Sequence, residues 1–113
     1  MSTSNATEAS SALELELRRG VLVLAILSQL RDAQYGYSLK QALGERGLNI
    51  EEGTLYPLLR RLETQGLLHS KWRTDEGRPR RYYQINAEGE KTLAALKTNW
   101  QILVDAMARL LNP

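Results

Sequence analysis

Five side chains in one short stretch, Thr54, Tyr56, Pro57, Arg60 and Arg61, and three arginines further on, Arg78, Arg80 and Arg81, carry the most suggestive chemistry in this chain. Guanidinium, hydroxyl and phenol groups are donors suited to phosphate oxygens and base edges. On a helical wheel, Leu55, Leu58, Leu59 and Leu62 form one narrow apolar stripe. Gly53, Pro57, Arg60 and Thr64 then take the opposite face, flanked by Thr54, Tyr56 and Arg61. Two of these side chains have a second reading: Thr54 can cap the helix start, and Tyr56 can pack inward. Pro57 removes a helical hydrogen bond and crowds the Gly53 carbonyl, so either the helix tolerates a distortion or it begins nearer Thr54.

Other chemistries fall away. Zero Cys excludes disulfides, thiolate metal sites and cysteine nucleophiles. His69, the single histidine, leaves no pair for zinc and reads as an exposed strand residue. Glu51, Glu52, Asp75 and Glu76 are acidic pairs without partner groups, and solvated surface is their better reading. No enzyme, metal or cofactor is expected. The longest strictly apolar run, residues 21–27, is far shorter than the ~18 residues of a membrane helix. No membrane partner and a cytoplasmic location are therefore expected.

At 113 residues, with 42% apolar and 25% charged residues, the chain has room for one globular domain. Its net charge is only +2, but the charge is uneven. Between Leu55 and Tyr83, seven cations (Arg60, Arg61, Lys71, Arg73, Arg78, Arg80, Arg81) face three carboxylates (Glu63, Asp75, Glu76), which leaves the remainder of the chain at −2. A weakly charged protein has gathered its positive charge in one segment.

The elements that must position these groups follow from periodicity. Residues 1–11 are small and polar and read as a disordered tail, and a winged helix-turn-helix unit is expected over 12–86. Its first helix starts at Leu13, with Leu13, Leu17, Val21, Leu24 and Leu27 or Ser28 as one stripe. Leu22, Val23 and Ile26 make it apolar on another side, as in a sandwiched helix, and Gly20 permits close packing. A break at 32–36 precedes a helix over about 37–44, with Tyr37, Leu39, Ala42 and Leu43 inward. A third helix spans 51–65 and stops at Gly66. Alternation predicts strands over 67–73 and 80–85, joined by turn residues 74–79. Tyr83 and Ile85 are expected in the core, and Trp72 is expected to close the hairpin against the helices.

Asn86 is a suitable N-cap for a C-terminal dimerisation helix over 87–113. There Leu93, Leu96, Trp100, Leu103, Met107 and Leu110 repeat at alternating steps of three and four, a seam suited to a second copy. Trp100 is a dimer-core aromatic on this pattern, with a planar ligand as its alternative contact. The whole is a mainly α (α+β) winged helix-turn-helix fold. Its expected partner is a double-stranded DNA operator with two half-sites roughly 10 bp apart. The rivals are a winged-helix protein-interaction module and an aromatic-ligand-binding dimer without regulatory DNA binding.

The run Gly53-Thr54-Leu55-Tyr56-Pro57-Leu58-Leu59-Arg60-Arg61-Leu62-Glu63, followed by Gly66-Leu67, resembles the signature of PadR-family transcriptional regulators. Gly36-Tyr37, the wing run from Gly77 to Tyr83, and Glu88-Gly89 add to the match, which extends from about residue 18 to the C-terminus. One departure is Asn86, where the family usually has Thr; both cap helices. The single long last helix is similar to the short subgroup. The resemblance implies a homodimeric repressor whose C-terminal helices, with the first helix, form the dimer interface. It also implies, for some short members, an interface cavity for flat aromatic or drug-like effectors, to which a tryptophan matching Trp100 contributes.

Overall fold

The computed structural model describes residues 3–112. Four helices and three strands follow in the order α1 (Thr3–Gln29), β1 (Gln34–Tyr35), α2 (Gly36–Glu45), α3 (Glu52–Thr64), β2 (Leu68–Asp75), β3 (Arg78–Ile85) and α4 (Ala87–Leu111). The three strands form one antiparallel sheet in the order β1-β3-β2.

The core lies where α1, α2 and α3 converge beneath the sheet. Ile26, Leu27, Leu30, Leu39, Leu55, Leu59 and Leu62 are fully buried there, each worth ~1.5–3 kcal/mol of removal from water. Leu68, Tyr83 and Ile85 cover them from the sheet, and Leu93 covers them from α4. The Ile85 N–H donates to the Leu30 carbonyl at 2.8 Å, which ties the last residue of β3 to the end of α1.

Local chemistry sets the joints. Gly66 takes a φ of +81° just past α3, and its N–H donates to the Glu63 carbonyl while that of Leu67 donates to Leu62. This closes α3 as a left-handed glycine cap does. The β2–β3 turn is Glu76-Gly77, both residues at positive φ, the pattern of a tight two-residue hairpin. Asn86 caps α4: its side-chain oxygen accepts from the Gly89 N–H at 2.8 Å.

Several sequence expectations need correction. The disordered tail expected over 1–11 lies partly outside the described residues, but from Thr3 onward the chain is helical. Ala6, Glu8, Ala9 and Ala12 favour helix, and no Gly or Pro intervenes before Gly20. The expected break at 32–36 contains β1, whose Tyr35 pairs with Tyr82. The strands run further than expected, leaving only two turn residues instead of six. Tyr37, expected inward, is exposed. Trp72 does not close the hairpin: it is 68% exposed, on a part of the wing beyond the helical layer. Leu93 belongs to the chain's own core, and Leu96 packs against that core. The exposed part of the expected seam is therefore Trp100, Leu103, Met107 and Leu110.

α1 has two apolar faces. Leu22, Ile26, Leu27 and Leu30 face the core, whereas Leu13 and Leu17 stand exposed and Val21 and Leu24 are half-buried. Within the single chain the sandwich is covered on one side only.

Candidate nucleic-acid interface

α3 presents its polar face because its leucines are used in the core. Leu55, Leu59 and Leu62 are buried, and Thr54, Pro57, Arg60 and Arg61 are exposed. Pro57 sits inside the helix, which begins at Glu52. The residue whose carbonyl it crowds is Gly53, exposed and free of a side chain.

The eight expected contact residues divide between two flanks of α3. On the wing side, Tyr56, Arg60, Arg80 and Arg81 line an open cleft of about 410 Å³ together with Tyr35, Trp72, Pro79 and Tyr83. On the other side, Thr54, Pro57 and Arg61 border a groove of about 270 Å³ with Arg19 of α1. Arg78 is exposed beside the hairpin turn. One helix thus carries a cation toward each of its flanks.

Tyr56 is half-buried, and its ring occupies the space over Gly36. A Cβ at Gly36 would lie 2.2 Å from the ring. The glycine opening α2 therefore gives the tyrosine its seat, and the packing reading of Tyr56 holds along with its position on the cleft.

The arginines of the wing differ in their freedom. Arg80 lies over the Tyr35 ring at 4.5 Å, and Arg73 over the Tyr82 ring at 4.4 Å. Tyr35 and Tyr82 meet edge to face at 5.3 Å. These contacts hold cations on the outer sheet face without neutralising them. Arg81 is different. It points to α3, with Nη2 donating to Glu63 Oε1 and Nε donating to Ser70 Oγ, both at 2.9 Å. Its charge is paired, unlike the free phosphate donor expected from sequence.

Two phenols are perturbed. The Tyr82 hydroxyl donates to the Asp75 carboxylate, which holds its pKa above the ordinary 10.0. Burial pushes Tyr83 up, against the opposing charge of Arg81.

Sequence reasoning missed Trp72 and Tyr35 as cleft residues. Strand alternation put Trp72 on the correct face, but nothing local tells how far the helical layer reaches. Tyr35 becomes a wall of the cleft only through the long-range pairing of β1 with β3.

Residues 23–95 match the family described as Transcriptional regulator PadR-like family. The chain belongs to the PadR-like family of transcriptional regulators. A transcriptional regulator of Mycobacterium tuberculosis is 40% identical over 79 residues, covering 69% of this chain and 74% of the relative. Among solved structures, a PadR-family regulator from Eggerthella lenta is 44% identical with a TM-score of 0.84, covering 97% of this chain and 98% of that one. A PadR-like regulator from Bacillus cereus is 30% identical with a TM-score of 0.77, covering 87% and 98%. As a PadR-like transcriptional regulator the protein binds DNA and is not an enzyme. Among the described residues, no helix is long and apolar enough to cross a membrane.

Proposed function

We propose that this PadR-like regulator is a homodimeric repressor that binds a pseudo-palindromic operator and releases it when a planar aromatic effector occupies the dimer interface. The observation that carries the dimer is the uncovered apolar surface of two helices. Trp100, Leu103, Met107 and Leu110 of α4 and Leu13 and Leu17 of α1 are all exposed in the single chain. Contiguous apolar surface of this kind marks an interface. A second copy supplies the matching stripe by symmetry.

In the dimer two α3 helices enter successive major grooves, and the wings follow the flanking backbone. Thr54, Tyr56, Pro57, Arg60 and Arg61 approach the bases and phosphates. Arg78 and Arg80 grip phosphates, and Trp72 packs its exposed ring against deoxyribose. The effector site lies around Trp100, where symmetry brings two indoles together. Effector binding alters operator affinity only through its preference for one spacing of the two α3 helices.

Sedimentation at micromolar concentration tests the dimer, and anisotropy with a labelled duplex from the gene's own upstream region tests the operator. Lone chains, or affinity equal to that for unrelated duplex, defeat the proposal. Each of Arg60→Ala, Arg78→Ala and Arg80→Ala should lower the salt slope by about 0.9. For the effector, planar aromatic compounds should quench the wild type but not Trp100→Phe, and should weaken operator binding. Repression itself is read from a reporter behind that upstream region.

A further inference from the structure

The wing is joined to α3 by a closed triangle of polar side chains. Glu63, in the last turn of α3, accepts on Oε1 from Arg81 Nη2 of β3 at 2.9 Å and on Oε2 from Ser70 Oγ of β2 at 2.7 Å. Ser70 Oγ in turn accepts from Arg81 Nε at 2.9 Å. Both ionic side chains are partly shielded, with 38% and 27% of their surface exposed. Three elements thus meet in one network one helical turn from Arg60.

We infer that Glu63 and Arg81 are positioning residues that set the angle of the wing to the recognition helix, and that Arg81 is not a phosphate contact. The proposal rests on α3 and the wing gripping the same duplex. A carboxylate beside a DNA-binding cleft repels phosphates, and removing it should by charge alone strengthen binding. The fixed wing angle acts in the opposite direction: freeing the hairpin from α3 makes the duplex organise it at the cost of affinity. The two effects differ in sign, which makes the inference testable.

The variants are Glu63→Gln, which keeps the shape and removes the charge, Arg81→Met, and the double variant. Each is measured as full-length protein against the same labelled duplex across a salt series, with a thermal melt to verify folding. The expected result is weaker binding by about three- to tenfold for both single variants, with the wild-type salt slope. The double variant should be no weaker than either single one. Equal or tighter binding by Glu63→Gln overturns the inference. So does a slope reduced by about 0.9 in Arg81→Met, which identifies a phosphate contact. Should a variant melt below the assay temperature, Ser70→Ala takes its place, because it opens the triangle without unpairing a charge. Failure of the wild type to bind duplex would instead refute the shared grip of helix and wing.

Discussion

Gly89→Ala places two ordinary rules in opposition. Gly89 lies in the first turn of α4, where helix propensity favours alanine by about 1 kcal/mol. A Cβ there, however, would stand 2.2 Å from the Leu67 carbonyl oxygen and 2.5 Å from Ile85 Cγ1. Ordinary contact begins at 3.4 Å, so the carbonyl must retreat by about 1.2 Å. It is main chain and cannot rotate aside. It also accepts the Asn86 N–H at 3.2 Å, and Asn86 caps α4 through the Gly89 N–H itself. Overpacking costs ~1–3 kcal/mol, and a loosened cap adds about 1 kcal/mol. The net loss is therefore about 1–3 kcal/mol, and the midpoint should fall by roughly 5–20 °C. Circular-dichroism melts should be compared at one fixed chain concentration, because dimer dissociation is linked to unfolding. Gly20→Ala is the reference: its Cβ meets nothing within 4 Å in the chain, so it should gain about 0.5–1 kcal/mol. Gly89→Ala melting at or above the wild type would refute the packing calculation.

Trp72→Ala should weaken duplex binding several-fold with the melting temperature and salt slope unchanged, since the ring is exposed and uncharged; an unaltered Kd removes Trp72 from the interface. Leu103→Asp with Met107→Asp should yield monomers by sedimentation at concentrations where the wild type is dimeric, and a persistent dimer would place the contact elsewhere. Folding raises the pKa of Tyr82 and Tyr83 above 10.0, so their contribution is complete below that pH and is lost as pH rises through the raised folded values. Alkaline melts of Tyr83→Phe should accordingly show a shallower fall above about pH 10 than the wild type; parallel curves count against it.

Much of the architecture was legible in the residues because it rests on local rules. The leucine stripe of α3, Gly66 as its stop, Asn86 as a cap and the basic hairpin all follow from periodicity and backbone preference. Mistaken expectations had a common cause. Alternation told which side of β2 carries Trp72 but not where the helices beneath it end. The heptad spacing of α4 united Leu93 with Met107, although the first faces the chain's own core and the second faces outward. Periodicity names a face, while only the packed elements determine what lies against it.

Charge shows the same division. Sequence alone determined that seven cations fall within one segment, since that needs only order and residue type. It could not tell a cation held on a tyrosine from one neutralised by a carboxylate. Tertiary structure decided that Arg80 rests on Tyr35, 45 positions away, while Arg81 is bound to Glu63, 18 positions away. Neighbouring side chains on a strand point to opposite faces, so adjacent arginines meet different partners, and those partners are brought there by chain closure.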